Sequence, residues 1–116
     1  RFGQTLLQKG QWQGEQAIPA SAVASISGGG DPAKFAGAGY TTLPGGSYRS
    51  QWWALHNENG AYSARGIHGQ AIYIDPAAEM VIVRFATFPI SFNAAIDPTS
   101  LPAYQAVADY LSAKSE

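Results

Sequence analysis

The chain has 116 residues, of which 46% are hydrophobic and 13% are charged, so it holds ample apolar material for a packed core. This length suits one domain or part of one, and the composition is the opposite of that of a disordered chain. The net charge of −1 gives no electrostatic basis for binding nucleic acid or an anionic membrane. No cysteine is present, which excludes disulfide frameworks and thiolate metal sites.

The first residues lead us to expect a segment of a longer protein. The chain begins at Arg1 without an initiating methionine, and residues 1–8 already resemble the middle of a helix. Any targeting signal would then lie outside the segment, so the sequence does not distinguish a cytoplasmic from a periplasmic protein. Every apolar run is shorter than the about 20 residues that a membrane-spanning helix requires. The apolar residues at helical spacing are Phe2, Leu6 and Leu7.

The N-terminal part predicts helices followed by a loop. Pro19 can open a second helix, because its fixed φ suits a first turn. Val23 and Ile26 lie at the spacing expected for its buried positions, and the glycines at 28–30 end it. Residues 31–46 are rich in Gly and Pro and predict a loop.

The middle of the chain predicts three strands. Residues 47–55 are rich in aromatic side chains, residues 61–74 form a second run, and residues 80–86 are nearly all apolar, as in a strand covered on both faces. The pair Asn59-Gly60 between the first two strands is a strong hairpin signal. Short turns between consecutive strands indicate an antiparallel meander.

The last part predicts a loop and a C-terminal helix, which Ser100 can cap and in whose first turn Pro102 fits. The predicted fold class is α+β, with helices and a loop in 1–46, a three-stranded antiparallel meander in 47–86, and a loop with the last helix in 87–116. The apolar stripe of that helix is Leu101, Tyr104, Ala108 and Leu111.

Two glycines three residues apart, Gly66 and Gly69, are the most informative local feature. They weaken the strand predicted around them, and a close approach of a ligand or a bulge that re-aims a backbone N–H would explain them. The alternative is that they only let a helix pack tightly on the sheet. His68 between them is a candidate general acid or base, although an isolated histidine more commonly hydrogen-bonds to a neighbour.

The other polar and aromatic candidates favour structural roles. His56 and Asp75 are expected in solvated turns, and two histidines without matching carboxylates give little support to a metal site. Arg84 lies in an apolar strand and, if buried, needs a carboxylate or carbonyl partner. Trp52 and Trp53 are adjacent, so on a strand they face opposite sides, one in the core and one toward a cleft.

No nucleophile motif occurs in the chain. The residues three positions before Lys9, Lys34 and Lys114 are not serine, so a Ser-x-x-Lys element is absent. The G-x-S-x-G elbow, the P-loop and the H-E-x-x-H zinc motif are absent as well.

Several runs of the sequence resemble the 6-aminohexanoate-dimer hydrolases, which cleave nylon oligomers and are related to class C β-lactamases and to carboxylesterases of that fold. The motifs include Gly-Ser-Tyr-Arg-Ser-Gln-Trp-Trp, Ala-Arg-Gly-Ile-His-Gly-Gln and Tyr-Ile-Asp-Pro followed by Met-Val-Ile-Val-Arg-Phe. The resemblance covers the whole chain and implies the C-terminal portion of a β-lactamase-like, transpeptidase-like fold. The resembling runs are 46–53, 64–70, 73–76, 80–85 and 97–105.

The resemblance also implies which residues face a substrate. In this superfamily a Lys-Thr-Gly box lies on the strand beside the active site, and Ala64-Arg65-Gly66 falls on that box. The next residue gives its backbone N–H to the oxyanion hole, which implies a catalytic role for Ile67 with Gly66. Since neither Lys nor Thr occupies the box, small uncharged or linear amides and esters fit better than a β-lactam carboxylate. The implied substrate-binding residues are Trp53, Arg65 and Tyr48.

The implied function is that of a serine hydrolase that forms an acyl-enzyme, with the nucleophile outside this chain and without a cofactor or metal. The expected partners are a small amide or ester and the N-terminal part of the same fold, with self-association through an open sheet edge as a further expectation. Neither nucleic acid nor a membrane is expected. Two alternatives remain: a catalytically inactive binding or regulatory relative on the same scaffold, and a self-contained domain with an unrelated role.

Overall fold

The computed structural model describes residues 1–114, which contain four α-helices and seven short strands. The helices are α1 (Phe2–Leu7), α2 (Ala20–Gly28), α3 (Pro32–Ala36) and α4 (Asp97–Lys114). A small hairpin consists of β1 (Gln11–Trp12) and β2 (Glu15–Gln16). The main sheet consists of β3 (Ser47–Arg49), β4 (Trp52–Ala54), β5 (Tyr62–Arg65), β6 (Ala71–Asp75) and β7 (Met80–Arg84).

The main sheet is an antiparallel meander in chain order, which confirms the predicted α+β class. The prediction of three strands was wrong, because within residues 1–114 the sheet has five. The run 47–55 folds back at Ser50 and Gln51, whose φ values are 50° and 69°, and the run 61–74 is broken by a turn at Ile67–Gly69. Two consecutive residues at positive φ form the tight turn of a hairpin. Serine and glutamine are not typical of that conformation, so the sequence did not predict this turn.

The sheet has a hydrophobic cluster on each face, because side chains along a strand alternate between faces. Trp52, Tyr62 and Ile74 pack against α1 and α2, whereas Tyr73 and Met80 on the other face pack against α4. Full burial of one large apolar side chain stabilises a fold by about 1.5–3 kcal/mol, so both clusters contribute to holding the sheet. The prediction for the tryptophan pair is confirmed, since Trp52 is buried and its neighbour Trp53 lies on the opposite face, half-buried.

The helix boundaries confirm part of the sequence prediction. Helix α2 follows Pro19 directly and buries Val23, as expected. The apolar stripe of α4 packs on the sheet as predicted, but the helix begins at Asp97, so Ser100 is an internal residue and not its cap. The proline that fits the first turn is Pro98, which directly follows Asp97, whereas Pro102 lies inside the helix.

Asp75 corrects another expectation, because its carboxylate is fully buried and not solvated. It accepts hydrogen bonds from Asn59 Nδ2 at 2.9 Å and from the Ala78 backbone N–H at 3.0 Å, which closes the turn between β6 and β7. Burial, together with the nearby Asp75 charge, raises the pKa of Tyr73 to about 12. None of the helices in residues 1–114 is long and apolar enough to cross a membrane.

Candidate functional site

The link between β5 and β6 is a tight loop, in which the Gly66 N–H donates to the Gln70 carbonyl at 2.9 Å. Ile67–Gly69 form a tight turn in which His68 and Gly69 both lie at positive φ. His68 is therefore not on an extended strand, as the sequence suggested, but has a φ of 57°. Its Nδ1 lies 2.7 Å from the Phe88 carbonyl oxygen, so it faces the following loop and not the helices behind the sheet.

Residues 86–93, called the 86–93 segment below, hold this loop through several hydrogen bonds. The Gln70 side-chain amide bonds to both backbone groups of Ala86. The Phe88 N–H donates to His68 O at 3.2 Å, and the His68 N–H donates to Ser91 O at 3.3 Å. Asn93 Nδ2 donates to Gly66 O at 3.0 Å. The loop is thus fixed from both ends, which limits its freedom to move.

Gly69 and Arg84 complete this arrangement. Gly69 has a φ of 89°, and a Cβ there would collide with the Phe88 ring. Its carbonyl accepts from Arg84 Nε at 2.6 Å, which confirms the carbonyl partner expected for Arg84. Arg84 Nη1 also donates to Ser100 Oγ at 2.6 Å, so the guanidinium joins β7, the loop and α4.

The end of β5 has an open edge on the side of β4. On β5, the residues that pair with β4 are Tyr62 and Ser63, so the pairing ends before Arg65, while Gly66 directs its N–H toward β6. Backbone N–H groups alternate in direction along extended chain, so the N–H of Ile67 points to the open edge. Among the backbone hydrogen bonds in residues 1–114, none has the Ile67 amide as its donor. An unpaired, fixed N–H therefore faces the space beside β5.

That space is a cavity of about 270 Å³, called the cleft below. Four of the five predicted site residues line it, namely Trp53, Arg65, Gly66 and Ile67. The fifth, Tyr48, lines an adjoining, more open depression that shares Trp53, Arg65 and Gly66. The Tyr48 and Trp53 rings meet edge to face with centroids 4.7 Å apart. The opposite wall of the cleft includes Tyr40, Thr42, Phe92, Asn93 and Asp97.

The hairpin that carries Tyr48 and Trp53 is fixed by a buried hydroxyl. Ser47 Oγ accepts from the Gly30 N–H at 2.9 Å and lies 2.6 Å from His56 Nε2. His56 is exposed, as expected of a turn residue. The nucleophile-like pairing of Ser47 with a histidine has no access to a substrate, because Ser47 is fully buried.

Arg65 forms an ion pair with Asp97 that the sequence did not reveal. The side chains are only 11% and 5% exposed, and the second Asp97 oxygen accepts from Thr42 Oγ1 at 2.5 Å. The Arg65 guanidinium also lies 5.9 Å from the centre of the Trp53 ring. The sequence signal that could have located Asp97 is the Asp-Pro pair that starts α4.

Two further features bear on what the site can bind. Within residues 1–114, the buried Trp53 Nε1 has no hydrogen-bond partner, so its N–H is an unsatisfied donor that lies below the cleft surface. In the same residues no group of three His, Asp or Glu could hold a metal ion. The local chemistry is that of a backbone donor beside a mostly apolar wall.

A first prediction concerns His68. His68→Asn keeps an N–H donor near the position of Nδ1, and asparagine tolerates positive φ, so we expect a loss of less than about 1 kcal/mol in unfolding free energy. His68→Val loses the donor and places a β-branched residue at positive φ, which should cost about 2 kcal/mol. Denaturant unfolding measures both. Equal losses in the two variants would contradict a role for the Nδ1 hydrogen bond and the positive φ of His68.

No family model matches the sequence, but comparison with known proteins gives relatives with related names. The 6-aminohexanoate-dimer hydrolase of Paenarthrobacter ureafaciens is 37% identical over 90 residues, which are 77% of this chain and 23% of that protein. A solved structure from Bacillus anthracis, assigned as a 6-aminohexanoate-dimer hydrolase, matches with a TM-score of 0.78 and 37% identity.

The structural match covers 95% of this chain and 27% of the Bacillus anthracis chain. The chain thus spans about a quarter of the length of these relatives, and the matched part lies toward their C-terminus. Agreement of sequence and structure on one set of relatives confirms the resemblance noted in the motifs. The chain is a homologue of the C-terminal part of the 6-aminohexanoate-dimer hydrolases and belongs with that family.

Proposed function

We propose that the protein containing this segment is a serine acyl hydrolase that cleaves small amides or esters, of the 6-aminohexanoate-oligomer amidase or carboxylesterase type on a β-lactamase-like scaffold. The observation that carries the proposal is the unpaired Ile67 N–H on the open edge of β5, beside an apolar cleft. The two named relatives support a hydrolase. The nucleophilic serine and its Lys and Tyr partners would lie outside this chain.

In this proposal the segment stabilises charge and does not supply the nucleophile. A serine attacks the amide or ester carbonyl and forms a tetrahedral intermediate, whose oxygen gains negative charge. The Ile67 N–H donates a hydrogen bond to that oxygen. Gly66, which has no side chain, leaves the backbone open to close approach. Because the 86–93 segment already fixes the loop, the donor needs no reorganisation when the charge develops.

The cleft supports a small, largely apolar substrate. Its volume of about 270 Å³ suits a short chain, and Tyr40, Trp53 and Phe92 contribute aromatic surface. The charge of Arg65 is balanced by Asp97, and among the described residues that line the cleft Arg65 is the one cation, which does not favour a β-lactam carboxylate. A linear amide or ester fits these walls better.

The second candidate is a binding or regulatory relative that retained the cleft and lost the nucleophile. The observation in its favour is the box Ala64-Arg65-Gly66, in which Ala and Arg occupy the positions of the superfamily's Lys and Thr. Such a protein would bind small amides or esters in the cleft without cleaving them.

A fluorophosphonate probe distinguishes the two candidates, because it reacts with an activated serine. We expect the full-length protein to be labelled with 1:1 stoichiometry by intact mass spectrometry and to hydrolyse p-nitrophenyl esters, with labelling abolished when the serine of an upstream Ser-x-x-Lys is changed to Ala. A folded full-length protein that binds p-nitrophenyl esters but is neither labelled nor active would contradict the hydrolase and favour the second candidate.

A further inference from the structure

We propose that Arg84 is a positioning residue for the oxyanion donor, because it holds Gly69 and thereby the loop that presents the Ile67 N–H. The inference rests on the proposed function in taking that N–H as the oxyanion donor. It assigns a role in turnover to a residue of the apolar strand β7 whose side chain lies outside the cleft lining.

The Arg84 guanidinium contacts three separate parts of the structure. Its Nε donates to the Gly69 carbonyl in the loop at 2.6 Å, and its Nη1 donates to Ser100 Oγ in α4 at 2.6 Å. Its central carbon lies 5.5 Å from the ring centre of Phe88, in the 86–93 segment, and 5.5 Å from that of Tyr104, in α4. Two hydrogen bonds and two aromatic rings therefore fix the plane of the guanidinium and the direction of its Nε.

Arg84 holds the loop at a point that bears on the oxyanion donor. Gly69 is buried, has a φ of 89° and belongs to the same tight turn as Ile67. A buried carbonyl without a hydrogen-bond donor is costly, so loss of Arg84 would favour a rotation that turns the Gly69 carbonyl toward water. Because the turn is short, that rotation would change the direction of the Ile67 N–H.

The contacts require the shape of an arginine side chain and not only its charge. Within residues 1–114, no carboxylate forms an ion pair with Arg84. Its two acceptors, the Gly69 carbonyl and the Ser100 hydroxyl, are neutral and lie in the directions of separate donors of one planar group. Lysine keeps the positive charge but lacks that rigid fork. Arg84→Lys should therefore remove the positioning and preserve the charge.

A double-mutant cycle with Ile67→Pro tests this role in the full-length protein, with hydrolysis of a p-nitrophenyl ester as the readout. Arg84→Lys should lower kcat about tenfold and change KM by less than about twofold, because the group that it misplaces acts in the transition state. In a protein that already carries Ile67→Pro there is no donor to position. Arg84→Lys should lower kcat there by less than about twofold, so that the two losses are not additive.

Two further variants complete the cycle. Ser100→Ala removes the acceptor of Arg84 Nη1 and leaves the bond to Gly69, so it should lower kcat about threefold and show the same dependence on Ile67. It decides the question even if Arg84→Lys does not fold. Arg49→Lys makes the same replacement at an exposed position of β3 and should leave kcat unchanged.

Several outcomes would overturn the inference. Equal losses of kcat with and without Ile67→Pro would mean that Arg84 only stabilises the fold. A raised KM with unchanged kcat would mean that Arg84 contacts the substrate in the open depression that it borders. An unchanged kcat and KM in both Arg84→Lys and Ser100→Ala would also contradict it.

A measurement that needs no turnover separates this inference from the proposed hydrolase. If the unaltered full-length protein hydrolyses no ester, the proposed function fails, and ¹⁵N relaxation of the Ile67 amide then tests the positioning. Its order parameter should fall from about 0.85 to below about 0.6 in Arg84→Lys and stay high in Arg49→Lys. A value that stays high in Arg84→Lys would overturn the positioning role.

Discussion

Replacing Ile67 by proline in the full-length protein should lower turnover of an ester or amide about a hundredfold or more, because the change deletes the proposed oxyanion donor. The structure makes proline an unusually clean test here. The Ile67 N–H donates to no backbone acceptor within residues 1–114, so its removal breaks no internal hydrogen bond. Gly66 already has φ −111° and ψ 168°, the extended conformation that a residue before proline prefers.

The matched control is Ile67→Val, which keeps the N–H and a branched apolar side chain. We expect its turnover to stay within a few-fold of the unaltered enzyme, since the Ile67 side chain is 67% exposed. Circular dichroism and thermal unfolding should show that both variants fold. An equal loss of turnover in both would mean that the side chain, and not the backbone donor, is what catalysis uses.

Gly69→Ala should cost about 2–4 kcal/mol in unfolding free energy and should also lower activity. Alanine at a φ of 89° is strained, and its methyl group would collide with the Phe88 ring. Relief of the collision would move Phe88, whose backbone forms hydrogen bonds to His68. The loop that presents Ile67 would then lose part of its support.

Gly66→Ala is the stability control for this change, because the two glycines have different surroundings. Gly66 is not at positive φ, and a Cβ there would meet the Gln70 Cβ at 3.0 Å, a side-chain contact that can adjust by a small shift. We expect a cost below about 1.5 kcal/mol. Chemical denaturation of the two variants measures the difference. Equal costs would mean that the loop tolerates a methyl group at Gly69 by moving Phe88 freely.

Periodicity was sufficient to predict the layers of the fold but not its turns. The alternation of Trp52 and Trp53 and the stripe of α4 depend on local spacing, so the sequence shows them directly. The hairpin at Ser50 and Gln51 depends on two positive φ values at residues that rarely adopt them. The burial of Asp75 depends on Asn59, a partner from another turn.

The sequence also predicted only part of the candidate site. The motif resemblance predicted Gly66, Ile67 and Trp53 as site residues, and in the structure all three line one cleft. The partner of Arg65 was not predictable, since Asp97 lies on another element 32 positions along the chain. The extended strand predicted through His68 was wrong, because backbone hydrogen bonds that His68 forms with Phe88 and Ser91 stabilise a tight turn there.

The hydrogen bonds between the loop and the 86–93 segment have a consequence for how the proposed hydrolase could diversify. Asn93 contributes a side-chain atom to these hydrogen bonds. The other residues of the segment that form them, Ala86, Phe88 and Ser91, do so through main-chain atoms. Ser91 and Phe92 line the cleft, and their side chains take no part in these bonds. Random substitution at these two positions should therefore yield folded variants in which the substrate range changes and the Ile67 amide keeps its position. A combinatorial library at Ser91 and Phe92 can then alter selectivity while the proposed oxyanion donor stays in place.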